Sequence, residues 1–391
     1  MGRSAVPTGN LTRYTPVSSW VRSQSLERNS GGKAVRPPNR SQHQCINKMT
    51  AHGPQDSIVE LLTTYNELNS SRIEELDEEP SPLEFLRYVA RNTPFVVRRA
   101  AQSWTATRTW DAASLCSTLA GHKVNVAVTP SGRADAPTLD YQGHTVFAKP
   151  HEEDEDFGDF LEFLIQQEKR DSDHDEQGNK RPDEVRYAQT QNDNLRHEYI
   201  PLFSQVEKSI AFARIALERD PDAINMWIGN SRSVTALHRD NYENVYVQIA
   251  GRKHFVLLSP LFQPCVNEQD LEPATYVRSK SEVEQGSLVL RMDDPSEENG
   301  QEATKVPFAT WDPDMPEVRA TQFSHLAEPM RVTLDPGDML YLPAMWYHKV
   351  SQSCSEDGIC IAVNYWYDME FSGPLYSLCS FVRNLNLSNR T

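Results

Sequence analysis

The sequence predicts a mainly β fold, a β-sandwich or jelly-roll barrel decorated by helices. Three observations predict it. Short strand-like runs crowd the chain from about Asn225 onward, turn signals separate several of them, and helical periodicity is confined to the earlier part and the last segment.

Taken in order, residues 55–90 read as helical, with Ile58, Leu61, Leu62, Tyr65 and Leu68 at helical spacing. Pro80 and Pro82 mark a turn before a short helix around Leu83–Val89. Pro94–Val97 and Lys123–Val128 read as strands. Within Glu153–Glu184 the stripe Phe157, Phe160, Leu161, Phe163 and Leu164 predicts a helix, followed by an exposed acidic loop after Glu168. The expected strands of the second half are Asn225–Ile228, Asn244–Ala250, Lys253–Leu258, Met330–Leu334, Met339–Leu342, Trp346–Val350 and Ile359–Tyr367. Gly251-Arg252, Asp335–Asp338 and Ser355–Gly358 supply turns between them. Asp293–Thr321, rich in acids and prolines, reads as a long loop. In Pro374–Leu387, the residues Leu375, Leu378, Phe381, Val382 and Leu385 share one helical face, expected to serve as core or as a homodimer contact.

The chain of 391 residues is long enough for a sizeable core. Its net charge of −16 argues against a general nucleic-acid binder and suits attraction of a basic peptide. Residues 1–53 carry eight Lys or Arg and one acid, Glu27, so the remainder carries about −23. That segment reads as a disordered tail. It also fits an Arg- and Ser-rich mitochondrial transit peptide, or an upstream extension ahead of Met49. None of the six cysteines forms a CxxC pair, which disfavours a zinc knuckle and points to a reducing compartment, cytoplasm or nucleus. No run approaches the roughly 20 apolar residues of a membrane span, and no apolar stretch follows the first basic residues as in a secretory signal.

The chemically informative run is Thr235-Ala236-Leu237-His238-Arg239-Asp240. Residues i and i+2 of a strand share a face, so His238 and Asp240 could both aim into a barrel interior. His348, just beyond the Pro336-Gly337-Asp338 turn, is a candidate third ligand. Two imidazoles and a carboxylate on one side of iron(II) leave three positions open, enough for a 2-oxoglutarate chelate and dioxygen. His-x-Asp alone also describes an ordinary strand end satisfied by hydrogen bonds. An acidic cosubstrate needs a cation, and Lys253, fifteen residues after His238 and across the Gly251-Arg252 turn, is the candidate, with Arg252 as its rival. The Thr235 hydroxyl could add a hydrogen bond to the same carboxylate. Tyr187 and Asn364 are further candidates that spacing alone does not single out.

These residues resemble the Jumonji C oxygenases of the cupin superfamily. The order is a helical start, His-x-Asp on a strand, a lysine after a hairpin, Pro-Gly-Asp-x-Leu-Tyr-Leu-Pro, a distal histidine, and the closing run Ala362–Asp368. Within that group the chain resembles the family of jumonji-domain-containing protein seven. The matching runs are Val124–Pro130, Leu237–Asn244, Pro273–Tyr276 and Met339–Ala344, and the likeness covers roughly residues 55–380. It implies a double-stranded β-helix core at 223–370 with a helical and mixed part at 54–222 packing on it; the basic tail at 1–53 and a C-terminal helix at 371–391 flank them. It further implies a protein lysyl hydroxylase acting on a developmentally regulated GTP-binding protein. Carried over, His238, Asp240 and His348 hold iron(II). Lys253 meets 2-oxoglutarate, with Thr235 and Tyr187 as helpers and Asn244 and Asn364 nearby. Tyr187 stands in Arg186-Tyr187-Ala188-Gln189, which resembles the Tyr-Leu-Gln run of related hydroxylases. The chain departs from the family in its basic tail, the polar loop after Glu168 and the acidic stretch Asp293–Gly300.

Three other functions fit parts of the pattern. A histone lysine demethylase would use the same chemistry, although those enzymes frequently carry Glu where Asp240 stands, and no reader module with zinc-spaced cysteines is present. A peptidase acting on basic tails would need a motif such as HExxH, which does not occur. A non-catalytic cupin binding module would not need the intact ligand set.

Overall fold

A computed structural model describes residues 53–172, 184–280, 286–294 and 304–388. Apart from Gly53 the basic tail lies outside the described residues, as does most of the expected acidic loop after Glu168. Residues from Pro54 onward form one compact unit.

Two sheets face each other. The larger has the order Glu74–Leu76, Phe95–Val97, Met339–Leu342, Tyr242–Ala250, Cys360–Asp368, Ala223–Gly229. The smaller has the order Met330–Leu334, Arg252–Leu258, Tyr347–Ser353, Thr235–His238. Side chains from both meet in a shared interior that includes Trp227, Tyr246, Phe255, Leu257, Val332 and Val350. Tyr246 packs edge-on to Phe255 with ring centroids 5.1 Å apart. This is the jelly-roll core expected from the strand pattern.

Alternation along each strand separates interior from exterior. Val245, Val247 and Ile249 turn outward with Val363, Tyr365 and Tyr367 of the neighbouring strand. They pack under the helices Pro82–Arg91, Phe157–Ser172 and Ala211–Leu217 through Phe85, Phe160, Leu164 and Phe212. Even-numbered neighbours such as Asn244, Tyr246, Ala362 and Asn364 are left to face inward. The Pro82–Arg91 helix starts at a capping box between Ser81 and Glu84 and ends at Asn92 in the left-handed conformation.

Gly251 alone connects the strand Tyr242–Ala250 of one sheet to Arg252–Leu258 of the other. Its φ is +67°, and a Cβ there would sit 2.6 Å from the Ser353 carbonyl oxygen. Only glycine fits that corner, and the corner carries Lys253 into the interior.

Two local expectations are corrected. His151–Asp156 is a strand paired with Lys123–Thr129, and the helix begins only at Phe157. The acidic run has poor strand propensity, but it is an edge strand whose charges find partners: Glu153 meets Arg278 at 2.7 Å and Glu155 meets Arg186 at 2.5 Å. Within the expected loop Asp293–Thr321, Val306–Ala309 pairs with Glu268–Leu271. In the C-terminal helix Pro374–Ser388, Cys379 and Val382 are buried, while Leu378 and Phe381 stay 42% and 62% exposed, so the apolar face is only partly covered. Among the described residues no helix is long and apolar enough to cross a membrane.

Glu198 lies beside the strand Lys123–Thr129, where it accepts a hydrogen bond from the Asn125 amide. Burial pushes its carboxyl up to about 7; the Asn125 bond opposes this and Asp154 adds to it. Because the folded pKa lies above the unfolded one, the stability this group contributes is present in acid and is lost as pH rises through about 7. Glu198→Gln is therefore expected to exceed the wild type in stability by on the order of 2 kcal/mol near pH 8. The two should converge near pH 4, as read by urea unfolding at both pH values.

Candidate metal centre

His238 ends the strand Thr235–His238, Asp240 follows two residues later, and His348 lies on the adjacent strand directly opposite His238. Their ligand atoms all fall within 4.8 Å of one another. Asp240 Oδ2 is 3.6 Å from Nε2 of each histidine. The two imidazole rings are 4.1 Å apart by centroid.

Backbone carbonyls orient both rings in the same way. His238 Nδ1 lies 2.8 Å from the Ala236 oxygen, and His348 Nδ1 lies 3.0 Å from the Trp346 oxygen. Each carbonyl belongs to the residue two positions earlier. With Nδ1–H donating there, each Nε2 keeps a free lone pair aimed at the space beside Asp240. The Asp240 backbone is fixed too, because its carbonyl accepts from the Met345 amide at 2.7 Å.

The electrostatics suit a cation. Burial alone would raise the Asp240 carboxyl, but the neighbouring imidazoles outweigh it and hold its pKa below the ordinary value. Burial opposes charge on His238, yet Asp240 prevails and holds its pKa up. For His348, burial and then the nearby His238 push the pKa down to about 4. The cluster thus offers one anionic oxygen and two imidazoles, of which His238 holds a proton to higher pH than His348. Two imidazoles and one carboxylate around a point with an open side fit a divalent transition metal of the iron(II) type.

Deeper in the barrel lies Lys253, which is only 2% exposed. Its Nζ donates to the Tyr187 hydroxyl at 2.9 Å and also to Gln352 Oε1. Tyr246 and Cys360 face it as well. No carboxylate among the described residues forms an ion pair with this ammonium. A buried cation without an internal counter-anion is costly, and an acidic ligand would relieve that cost. Arg252, the rival cation, points outward and pairs with Asp335 at 2.6 Å.

Thr235 pairs with Val350 while His238 pairs with His348, so three steps on one strand match two on the other. In a regular strand, positions 235 and 238 would face opposite sides. The irregularity turns both toward the interior. Asn364 Nδ2 donates to Asn244 Oδ1 at 3.1 Å, and Trp227 Nε1 donates to Asn364 Oδ1 at 2.9 Å. The geometry therefore gathers the three candidate ligands into one cluster and joins Lys253 to Tyr187. It makes a separate amide pair of Asn244 and Asn364, and leaves Thr235 on the shared inner face.

Sequence reasoning missed Gln352, Tyr246 and Trp227. Gln352 carried a usable signal, since it lies an even four residues after His348 on one strand and so shares its face. Tyr246 and Trp227 carried none beyond alternation, because aromatic residues in strands are usually core.

Comparison with known proteins agrees with this geometry. Residues 81–373 match the cupin-like domain family. The chain is 36% identical over 297 residues to the human bifunctional peptidase and (3S)-lysyl hydroxylase JMJD7, covering 76% of this chain and 84% of that protein. It is 34% identical over 324 residues to the Arabidopsis thaliana lysine-specific demethylase JMJ32, covering 81% and 87%. It is 30% identical over 309 residues to the Dictyostelium discoideum JmjC domain-containing protein E, covering 75% and 83%.

Proposed function

The chain belongs to the cupin-like JmjC 2-oxoglutarate oxygenases, and on that premise we propose that it hydroxylates a lysine side chain of a protein, in the first instance a developmentally regulated GTP-binding protein. The observation that carries this reading is the pairing of an open His-Asp-His cluster with a buried lysine that has no carboxylate partner of its own. The likeness to a protein named as a lysyl hydroxylase supports the choice of reaction. The strongly acidic body supports a basic substrate.

In this reading His238, Asp240 and His348 hold iron(II), and Lys253 receives the distal carboxylate of 2-oxoglutarate. Tyr187 steadies the ammonium, and Thr235 faces the same space. When bound, iron(II) and 2-oxoglutarate use dioxygen to oxidise a substrate C–H bond to C–OH, with 2-oxoglutarate leaving as succinate and carbon dioxide. The protein's own work is geometry and exclusion of water. The Ala236 and Trp346 carbonyls hold the imidazoles in register. Apolar side chains such as Phe255, Leu257 and Val350 line the interior around the polar groups and keep it dry.

The test is aerobic incubation with iron(II), 2-oxoglutarate and a lysine-containing peptide from such a GTP-binding protein, followed by intact-peptide mass spectrometry. One added oxygen on lysine, absent with His238→Ala, is the expected result. Demethylation is the second reading, favoured by the likeness to JMJ32. Formaldehyde release from a methylated histone peptide, with no oxygen gained on the first peptide, would install it instead. Cleavage without 2-oxoglutarate would mark a peptidase, and absence of iron binding a silent cupin.

Metal affinity should depend on pH through one group. His348 is neutral above about 4, whereas His238 is held protonated to higher pH by Asp240. Below the His238 pKa each bound metal must displace one proton, so affinity is expected to fall about tenfold per pH unit. Manganese(II) titrations between about pH 5 and 6.5, below the ordinary histidine value that His238 exceeds, followed by calorimetry, would show it; a flat profile there would contradict it.

A further inference from the structure

The ammonium of Lys253 is held at two points, and the Tyr187 hydroxyl is only one of them. Gln352 lies directly opposite Lys253 on the neighbouring strand, and its Oε1 accepts from Nζ. At its other end Gln352 Nε2 donates to the Asn230 carbonyl at 2.5 Å. Asn230 is fully buried and anchored in turn, its Nδ2 donating to Gln167 Oε1 at 2.8 Å. Gln167 Nε2 donates to the Glu184 carbonyl at 3.0 Å. A chain of amides thus runs from the helix Phe157–Ser172 to the lysine.

Because the oxygen of Gln352 is committed to a cation and its nitrogen to a carbonyl, the amide has one orientation. The backbone has made room for it. A Cβ on Gly229 would lie 2.6 Å from Tyr187 Cδ2 and 2.7 Å from Gln352 Nε2, so any residue larger than glycine would push apart the two groups that grip Lys253. Lysine is a flexible four-carbon stem, and one hydrogen bond would leave its tip free to swing. Two contacts together fix how deep the charge sits. Gln352 shares its strand with His348, so the same rigid element sets both the metal ligand and the amide.

We propose that Gln352 is a positioning residue that sets the depth of the Lys253 ammonium and thereby selects the cosubstrate by its length. The inference rests on the reading of Lys253 as the partner of the distal carboxylate. A keto diacid chelated at one end must place its far carboxylate on the ammonium at the other. Adding or removing one methylene moves that carboxylate by more than a charge-assisted hydrogen bond tolerates.

The experiment uses the full chain loaded with manganese(II), which binds like iron(II) but does not turn over. Calorimetric titration with 2-oxoglutarate, with oxaloacetate (one methylene shorter) and with 2-oxoadipate (one longer) gives the length preference. Thermal unfolding is recorded beside it. The wild type should prefer 2-oxoglutarate by at least about tenfold. Gln352→Glu should weaken 2-oxoglutarate by about tenfold or more, since the new carboxylate competes for the same ammonium. Gln352→Met, similar in shape but without either hydrogen bond, should narrow the length preference to within about threefold. If the glutamate variant fails to fold, the methionine variant decides. Unchanged affinity and unchanged length preference in the folded variants, even with lowered thermal midpoints, would overturn the proposal and leave Gln352 a packing residue. A wild type that does not bind 2-oxoglutarate would instead overturn the reading of Lys253, and this role with it.

Discussion

Asp240→Asn abolishes retention of the metal, by the expectation of at least about a thousandfold loss in affinity, while the fold survives. Altering a partner that only orients a ligand already costs 10- to 100-fold, so removing the anionic ligand itself must cost more. Asparagine keeps the shape, and the backbone bond from the Met345 amide to the carbonyl of residue 240 does not depend on the side chain. One further consequence separates charge loss from disorder. Asp240 is the group that holds the His238 pKa up against burial, so the variant's His238 should titrate lower than in the wild type. Equilibrium binding of manganese(II) and the imidazole proton resonances against pH would check both. Metal binding within a few fold of wild type would remove Asp240 from the ligand set.

Lys253→Met is expected to weaken 2-oxoglutarate by about a hundredfold, as truncation of a buried charged partner typically costs 2–5 kcal/mol. Unlike most buried substitutions, it should not lower the stability of the ligand-free protein. The ammonium is 2% exposed and is met by a phenol and an amide rather than a carboxylate. Removing an uncompensated buried charge of similar shape offsets the loss of its two hydrogen bonds. The thermal midpoint without ligand is thus expected at or above that of the wild type, and the stabilisation that 2-oxoglutarate gives the wild type should vanish. A variant that melts much earlier would show that Lys253 serves the fold.

Much of the core was legible before any coordinates. The seven expected strands of the second half all occur, with ends shifted by three residues or fewer. Most were legible as short, largely apolar runs, because one side meets helices and the other the interior, so both faces are buried. The candidate ligands were legible as well, since His238 and Asp240 stand two apart beside the strand that bears His348. Thr235 was harder. Its three-residue spacing from His238 argues for opposite faces, and only the irregular pairing opposite Val350 reverses that. The strand His151–Asp156 was illegible because acidic residues form strands poorly on their own. It exists through pairing with Val124, Val126 and Val128 and their neighbours.

The sequence by itself pointed to His238, Asp240, His348 and Lys253 as candidates and, through the period of two, placed His238 and Asp240 on one side. Local sterics decide such things, and they are written in neighbouring positions. Only the tertiary structure decided that Asp240 stands equally far from both histidines, that Arg252 is spent on Asp335 outside the barrel, and that Gln352 closes on Lys253. Those facts depend on the register between strands far apart in the chain. Register is set by the summed packing of the whole interior, and no single spacing records it.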